Sequence, residues 1–391
     1  MPKVQKQDTW NMEVEERLNP LKALYRLGQS PWYDNIERRL FKTREFNRLI
    51  NEYGIVGVTS NPTIFDKAIR GSSDYDEQIQ HLVKAKKKSY QIYDELTIKD
   101  VATAADMLSK IYKNTNGLDG YVSIEVLPEY AYDSKKTVSY AKKLFKRLNR
   151  KNILIKVPGT KQGIPAIREL IAEGINVNVT LLFSVSQYEA IAKAYIEGLN
   201  NRLRKNKKLE DVASVASMFI SRIDTKIDKI LEEKASKETS SVKKEKILGL
   251  RGKAAVANSK IIYQRFKGTL LSNWFRELTK KGGKVQRVLW ASTSTKNPNY
   301  RDVKYVEELI GPHSINTIPH QTVFSFYDHG LVKPTIEEGI AEAKEVLDEL
   351  NALGIDIEKV CDELQEAGVK AFIGSFNSLI KSIEEKVKRL S

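Results

Sequence analysis

Residues 152–184, NILIKVPGTKQGIPAIRELIAEGINVNVTLLFS, carry the pattern that decides the fold. Ile153-Leu154-Ile155-Lys156-Val157 is a short apolar run closed by Pro158-Gly159-Thr160, which reads as a buried strand (152–157) ending at a turn. Residues 164–172 then place apolar side chains at three- and four-residue spacing, a helix, and 176–183 is a second apolar strand. Strands joined through a helix pair in parallel. The same alternation recurs along the chain. Residues 54–60, 120–126, 212–220, 287–292 and 314–318 read as further strands, with a fainter first one at 30–35 and helices at 134–149 and 185–200. Eight strand–helix units predict an α/β fold, a (βα)8 barrel. An open doubly wound sheet is the alternative, but no Gly-x-Gly-x-x-Gly turn follows any strand.

The 391 residues suffice for such a barrel with additions, and the whole chain reads as one domain. A leading extension covers 1–28, a charged serine-rich insertion 229–246, and a helical tail 334–391 is expected to pack on the barrel in two blocks, 336–353 and 370–390. The amino terminus has no apolar core segment of a secretory signal, and no stretch approaches the roughly 18 apolar residues of a membrane span. One cysteine, Cys361, excludes an internal disulfide framework; it reads as a packing residue and fits a reducing cytoplasm. The four histidines (His81, His313, His320, His329) show no zinc-ligand spacing, so no metal is expected. The net charge of +15 could serve nucleic-acid phosphates, or could be a lysine-rich solvated surface. The second reading is preferred: the basic residues lie in helical segments such as 84–88 and 141–147, not interleaved with aromatics. Neither nucleic acid nor membrane is expected as a partner, while a positive field favours anionic small substrates.

Chemistry in such barrels sits at the carboxyl ends of the strands. The residues falling there are Asp34; Thr59, Ser60 and Asn61; Glu125; Lys156; Asn178 and Thr180; Ser217 and Arg222; and Ser292, Ser294 and Lys296. An amine at the end of a buried strand is drawn away from water, which disfavours its charged form; a neutral amine attacks carbonyl carbon to give a Schiff base. Lys156 could instead snorkel outward, Asn61-Pro62 could be a plain turn, and Glu125 could be a structural ion-pair partner. Period-two alternation puts Asn178 and Thr180 on one face. Consecutive strands that each deliver a polar or ionisable group to one end argue for a joint purpose: a lysine with two carboxylates is what Schiff-base carbon–carbon chemistry needs.

The segments GVTSNPTIF (57–65), VSIEV (122–126), ILIKVPGT (153–160), GINVNVTLLFS (174–184) and the run from Ser217 to Arg222 resemble transaldolases. WASTSTKNP (290–298) with NTIPHQT (316–322) is similar to the longer bacterial subgroup of that family, and the likeness runs from about residue 20 to the end. The resemblance implies that Lys156 forms the Schiff base and that Glu125 works with a water held by Thr180. It implies that Asp34 removes the proton of the donor's C4 hydroxyl. Asn61 and Asn178, with Thr59 and Ser217 nearby, would bind the dihydroxyacetone part, and Arg222 and Ser292 the phosphate. The better-known members carry an arginine where this chain has Ser294; Lys296 is expected to supply that charge. The implied reaction passes a three-carbon unit between sugar phosphates without metal or organic cofactor, in a cytoplasmic monomer or homodimer. A related aldolase releasing free dihydroxyacetone, and a non-catalytic sugar-phosphate or nucleic-acid binder, are the competing readings.

Overall fold

The computed structural model describes residues 19–390. Eight parallel strands close on themselves: β1 (Gln29–Tyr33), β2 (Val58–Thr59), β3 (Val122–Glu125), β4 (Ile153–Pro158), β5 (Val177–Leu182), β6 (Ser214–Phe219), β7 (Arg287–Ala291) and β8 (Ser314–Ile318), with β8 paired to β1. Every strand residue is buried, because helices cover the outer face and side chains fill the inner one. That explains why stretches such as 153–157 are mostly apolar, while the polar strand residues, among them Asn178, Thr180 and Asn316, are buried as well.

Regular geometry in β2 is shorter than the sequence suggests. The chain before it is still held, since Val56 N–H donates to the Pro31 carbonyl (3.0 Å) and Gly120 N–H to the Val56 carbonyl (2.7 Å). Gly57 is required there: a Cβ would lie 2.4 Å from the Trp32 ring. At the amino ends of the strands the barrel is plugged by a satisfied polar network. The Arg287 guanidinium pairs with Asp119 (2.8 Å), which also accepts from Trp32 Nε1 (3.0 Å) and Ser30 Oγ (2.8 Å). A buried pair of this kind holds its geometry only because every donor has an acceptor.

Of the leading extension, residues 1–18 lie outside the described residues; Pro20–Arg26 is a helix capped by Asn19, with Leu21 and Leu24 buried. The charged stretch 229–246, expected as an exposed helix or loop insertion, is largely exposed and mostly helical. It completes the helix Ser221–Lys237, which buries Leu231 and Ala235, and enters the helix Ser241–Leu248, both within the β6–β7 crossover. The tail forms the helices Ile340–Ala352 and Ile357–Leu390, the second starting well before residue 370. This 34-residue helix lies across the carboxyl ends of the strands and against the helix Pro62–Arg70. Ser378 Oγ donates to Asp66 (3.1 Å), Thr63 Oγ1 to Ser375 Oγ (2.8 Å), and the Lys386 ammonium to the Ser72 carbonyl (2.7 Å). Gly368 permits the approach, since a Cβ there would stand 2.8 Å from Leu181 Cδ2. Cys361, on the same helix, is buried in the core, as a packing residue should be.

Candidate active site

Parallel pairing sets Lys156 on β4 beside Glu125 on β3 in register, so both side chains point into the barrel. Lys156 stands two residues before the end of its strand and is 5 % exposed, Glu125 4 %. The ammonium lies 3.4 Å from Glu125 Oε2 and donates to the Ser60 carbonyl at 2.9 Å. The Phe372 ring of the last helix covers it, 5.9 Å to the ring centre. Lys156 therefore does not snorkel outward. Burial pushes the Glu125 carboxyl up to about 7; Lys156 opposes the rise and the Asp34 charge adds to it. Neither Glu125 oxygen accepts a hydrogen bond from the described residues, and the buried Thr180 hydroxyl likewise has no partner among them. Glu125 Oε2 has only the Lys156 ammonium beside it, so Glu125 Oε1 and Thr180 Oγ1 are the buried polar atoms left to meet a bound water or substrate.

Beyond Thr180 the strand is irregular. Leu181 adopts a left-handed φ of 57°, and the register with β6 shifts between Val179 and Leu182. The Leu181 carbonyl accepts from Gln365 of the last helix (2.9 Å), which also reaches the Gly159 carbonyl (3.2 Å).

Asp34 follows β1 directly, its N–H donating to the Ile318 carbonyl of β8 (2.9 Å). Its Oδ1 accepts from Thr59 Oγ1 at 2.7 Å. Burial raises the carboxyl above its ordinary range, against the pull of Lys156, the Thr59 bond and Lys296.

These groups face a cavity of about 290 Å³. Asp34, Thr59, Asn61, Lys156, Thr180 and Ser217 line its floor and walls; Arg222, Ser292, Ser294 and Lys296 line the other end. Arg222 opens the helix Ser221–Lys237, where backbone N–H groups add positive potential. Ser292, at a left-handed φ of 57°, reaches Ser221 Oγ at 3.0 Å, and the Lys296 ammonium donates to Ser294 Oγ at 2.7 Å. Burial and the neighbouring Arg222 and Lys67 charges lower the pKa of Lys296; burial alone lowers that of Arg222.

Two expected residues stand off the cavity. Glu125 lies behind its wall, against Lys156. Asn178 is fully buried one layer deeper, its amide spent on Ser123 Oγ (3.0 Å, donated) and Ser217 Oγ (2.6 Å, accepted). Asn178 precedes Thr180 by two positions on the strand and so lies deeper in the barrel, where it orients Ser217. Asn61 does two things: it lines the cavity and its Oδ1 caps the helix Pro62–Arg70 at Ile64 N–H (3.0 Å).

Lys67, Thr63, Phe219, Thr317 and Phe372 also line the cavity and were not anticipated. Thr63 and Lys67 are four apart on one helix, so once Asn61 points inward their shared face was open to inference. Phe372 comes from a distant helix and left no signal of that kind. Arg222, Lys67 and Lys296 make no ion pair with a carboxylate of the described residues, so the end they share invites an anion. Among the described residues no group of three or more His, Cys, Asp or Glu could hold a metal ion, and no helix is long and apolar enough to cross a membrane.

A closed parallel barrel with a buried lysine–carboxylate pair, a second carboxylate and a cationic end defines a class: barrel enzymes that can hold a carbonyl substrate through an amine. Comparison with known proteins narrows the class. The family described as Transaldolase/Fructose-6-phosphate aldolase matches residues 31–383. A transaldolase of Trichodesmium erythraeum is 47% identical over 375 residues, 95% of this chain and 99% of the relative. Transaldolase 2 of Nostoc sp. is 45% identical over 377 residues (96% and 99%), and a transaldolase of Mycobacterium bovis 40% over 366 (93% and 96%). The chain belongs to the transaldolase/fructose-6-phosphate aldolase family.

Proposed function

We propose that the protein is a transaldolase moving a dihydroxyacetone unit from a ketose phosphate, sedoheptulose 7-phosphate or fructose 6-phosphate, to an aldose phosphate. The observation that carries the reading is the buried Lys156 ammonium, 3.4 Å from Glu125 and open to the cavity. The Lys156 ammonium first passes a proton to the Glu125 carboxylate, and the neutral amine attacks the ketose carbonyl carbon; Glu125, through a water held with Thr180, then moves the protons by which the carbinolamine loses water and becomes the imine. Asp34 takes the C4 hydroxyl proton, the C3–C4 bond breaks, and its electron pair passes to the imine nitrogen as the aldose phosphate leaves. The enamine then attacks the acceptor aldehyde, forming the new bond, and hydrolysis frees Lys156. No metal or organic cofactor is needed, since the imine is the electron sink.

The phosphate is held by Arg222 and Ser292, with Lys296 and Lys67 supplying positive charge around Ser294, where better-known members have arginine. Thr59, Asn61 and Ser217 bind the three-carbon part, and Asn178 positions Ser217. The Glu125–Lys156 contact favours transfer over release of free dihydroxyacetone; turnover that needs no acceptor aldehyde would reverse that choice. The reading places a single-domain enzyme, monomer or homodimer, in the cytoplasm. Incubation with fructose 6-phosphate and borohydride should leave a three-carbon adduct on Lys156 and none on Lys156→Ala. An adduct on another lysine, or none on the native chain, refutes the assignment.

A further inference from the structure

Thr59 Oγ1 stands 2.7 Å from Asp34 Oδ1 and 2.6 Å from Thr317 Oγ1. A hydroxyl has one proton, and an ionised carboxylate only accepts. With Asp34 ionised, as its role as base requires, the Thr59 proton points to it, and Thr317 then donates to Thr59. The direction Thr317→Thr59→Asp34 follows from counting protons. Thr317 is on β8, Thr59 on β2, and Asp34 at the end of β1 between them. Both threonines are buried, 2 % exposed each, and each lines the cavity.

We propose that Thr317 is a positioning residue for carbon–carbon bond cleavage: it fixes the Thr59 hydroxyl so that Asp34 Oδ1 is occupied and Oδ2 is left to take the substrate proton. This rests on the assignment of Asp34 as the base. Donation into Thr59 polarises its O–H, and hydrogen bonds in series strengthen one another in a low-dielectric interior. The bond favours the charged carboxylate, offsetting the burial that raises Asp34. Lys156, Lys296, Glu125 and Tyr33 are the other titratable groups that face it. Removing the Thr317 hydroxyl leaves the Asp34–Thr59 bond free to rotate away, and Asp34 becomes harder to ionise.

Thr317→Val preserves shape and removes the donor; Thr317→Ser keeps the donor. For Thr317→Val we expect kcat to fall about tenfold, or 1.4 kcal/mol. The acidic limb of the single-turnover cleavage rate should move upward, while the total borohydride-trapped adduct on Lys156, uncleaved six-carbon imine included, forms to the native extent. Thr317→Ser should restore both kinetic quantities. A Val variant with native kcat and limb, or a Ser variant as impaired as Val, overturns the relay. If Val folds poorly, judged by melting, Thr317→Ala makes the same test without a polar mismatch. No adduct on the native protein would instead remove the Schiff-base reading and the relay with it, an outcome distinct from a native adduct with an indifferent Thr317.

Discussion

Glu125→Gln tests the acid/base assignment most directly. The amide has the size of the carboxyl, so the barrel layer stays filled, and no protein hydrogen bond to Glu125 is lost because none is made. What disappears is the charge 3.4 Å from Lys156 and the capacity to take a proton. A positioned acid/base contributes about 10²–10⁴ in rate. The Glu125 side chain is almost wholly buried, so bulk water cannot substitute freely, and we expect imine formation to slow by at least about a hundredfold, near 2.7 kcal/mol. Since burial pushes Glu125 up to about 7, its base form appears as pH rises through neutrality. Native imine formation should therefore climb between pH 6 and 8 with an inflection near 7, and the variant should lack that inflection. Lys156 keeps the Ser60 carbonyl as acceptor, which limits the fold cost to about 1–3 kcal/mol. The assay is a time course of mixing with fructose 6-phosphate and quenching in borohydride, read as adduct on Lys156. A variant within about threefold of native, or with the same inflection, would refute the reasoning.

Lys67→Met and Lys296→Met should each raise KM for fructose 6-phosphate about fivefold, the worth of roughly 1 kcal/mol for an exposed cation, without changing KM for unphosphorylated fructose; equal effects on both sugars would remove them from the phosphate end. Asp224 accepts from Ala255 N–H and Tyr305 Oη, and burial pushes it up to about 6 from an ordinary 3.8. The folded protein thus binds an extra proton between those values, so native stability declines as pH rises from about 4 to 6, by up to about 3 kcal/mol. Asp224→Asn lacks that slope. Denaturant titrations of the two proteins should diverge in the variant's favour as pH rises across this window, and parallel curves would show that Asp224 is already charged.

The strands were legible because a two-faced burial demands apolar runs, and 153–157 or 177–182 admit little else. Lys156, Glu125 and Asp34 were legible because an ionisable residue interrupts, or directly follows, such a run. Asn178 and Thr180 share a face but not a depth; alternation fixes the first and says nothing of the second, so the layer that holds Ser217 was not foreseen. The Thr63–Lys67 face needed only helical spacing to be found. Thr317 and Phe372 could not be found that way. The first matters through a hydroxyl on a strand two positions round the barrel, the second through a helix more than two hundred residues after Lys156. Long-range juxtaposition leaves no trace in local pattern.

The helix Ile357–Leu390 has a temporal meaning as well. It follows every strand, so on the ribosome the barrel's eight strands emerge before the segment that brings Phe372 over Lys156 and Gln365 onto the strand-end carbonyls. A nascent chain can close its sheet with the amine still open to solvent and to any passing aldehyde. The cover over Lys156 is thus laid down after the strands whose ends it closes.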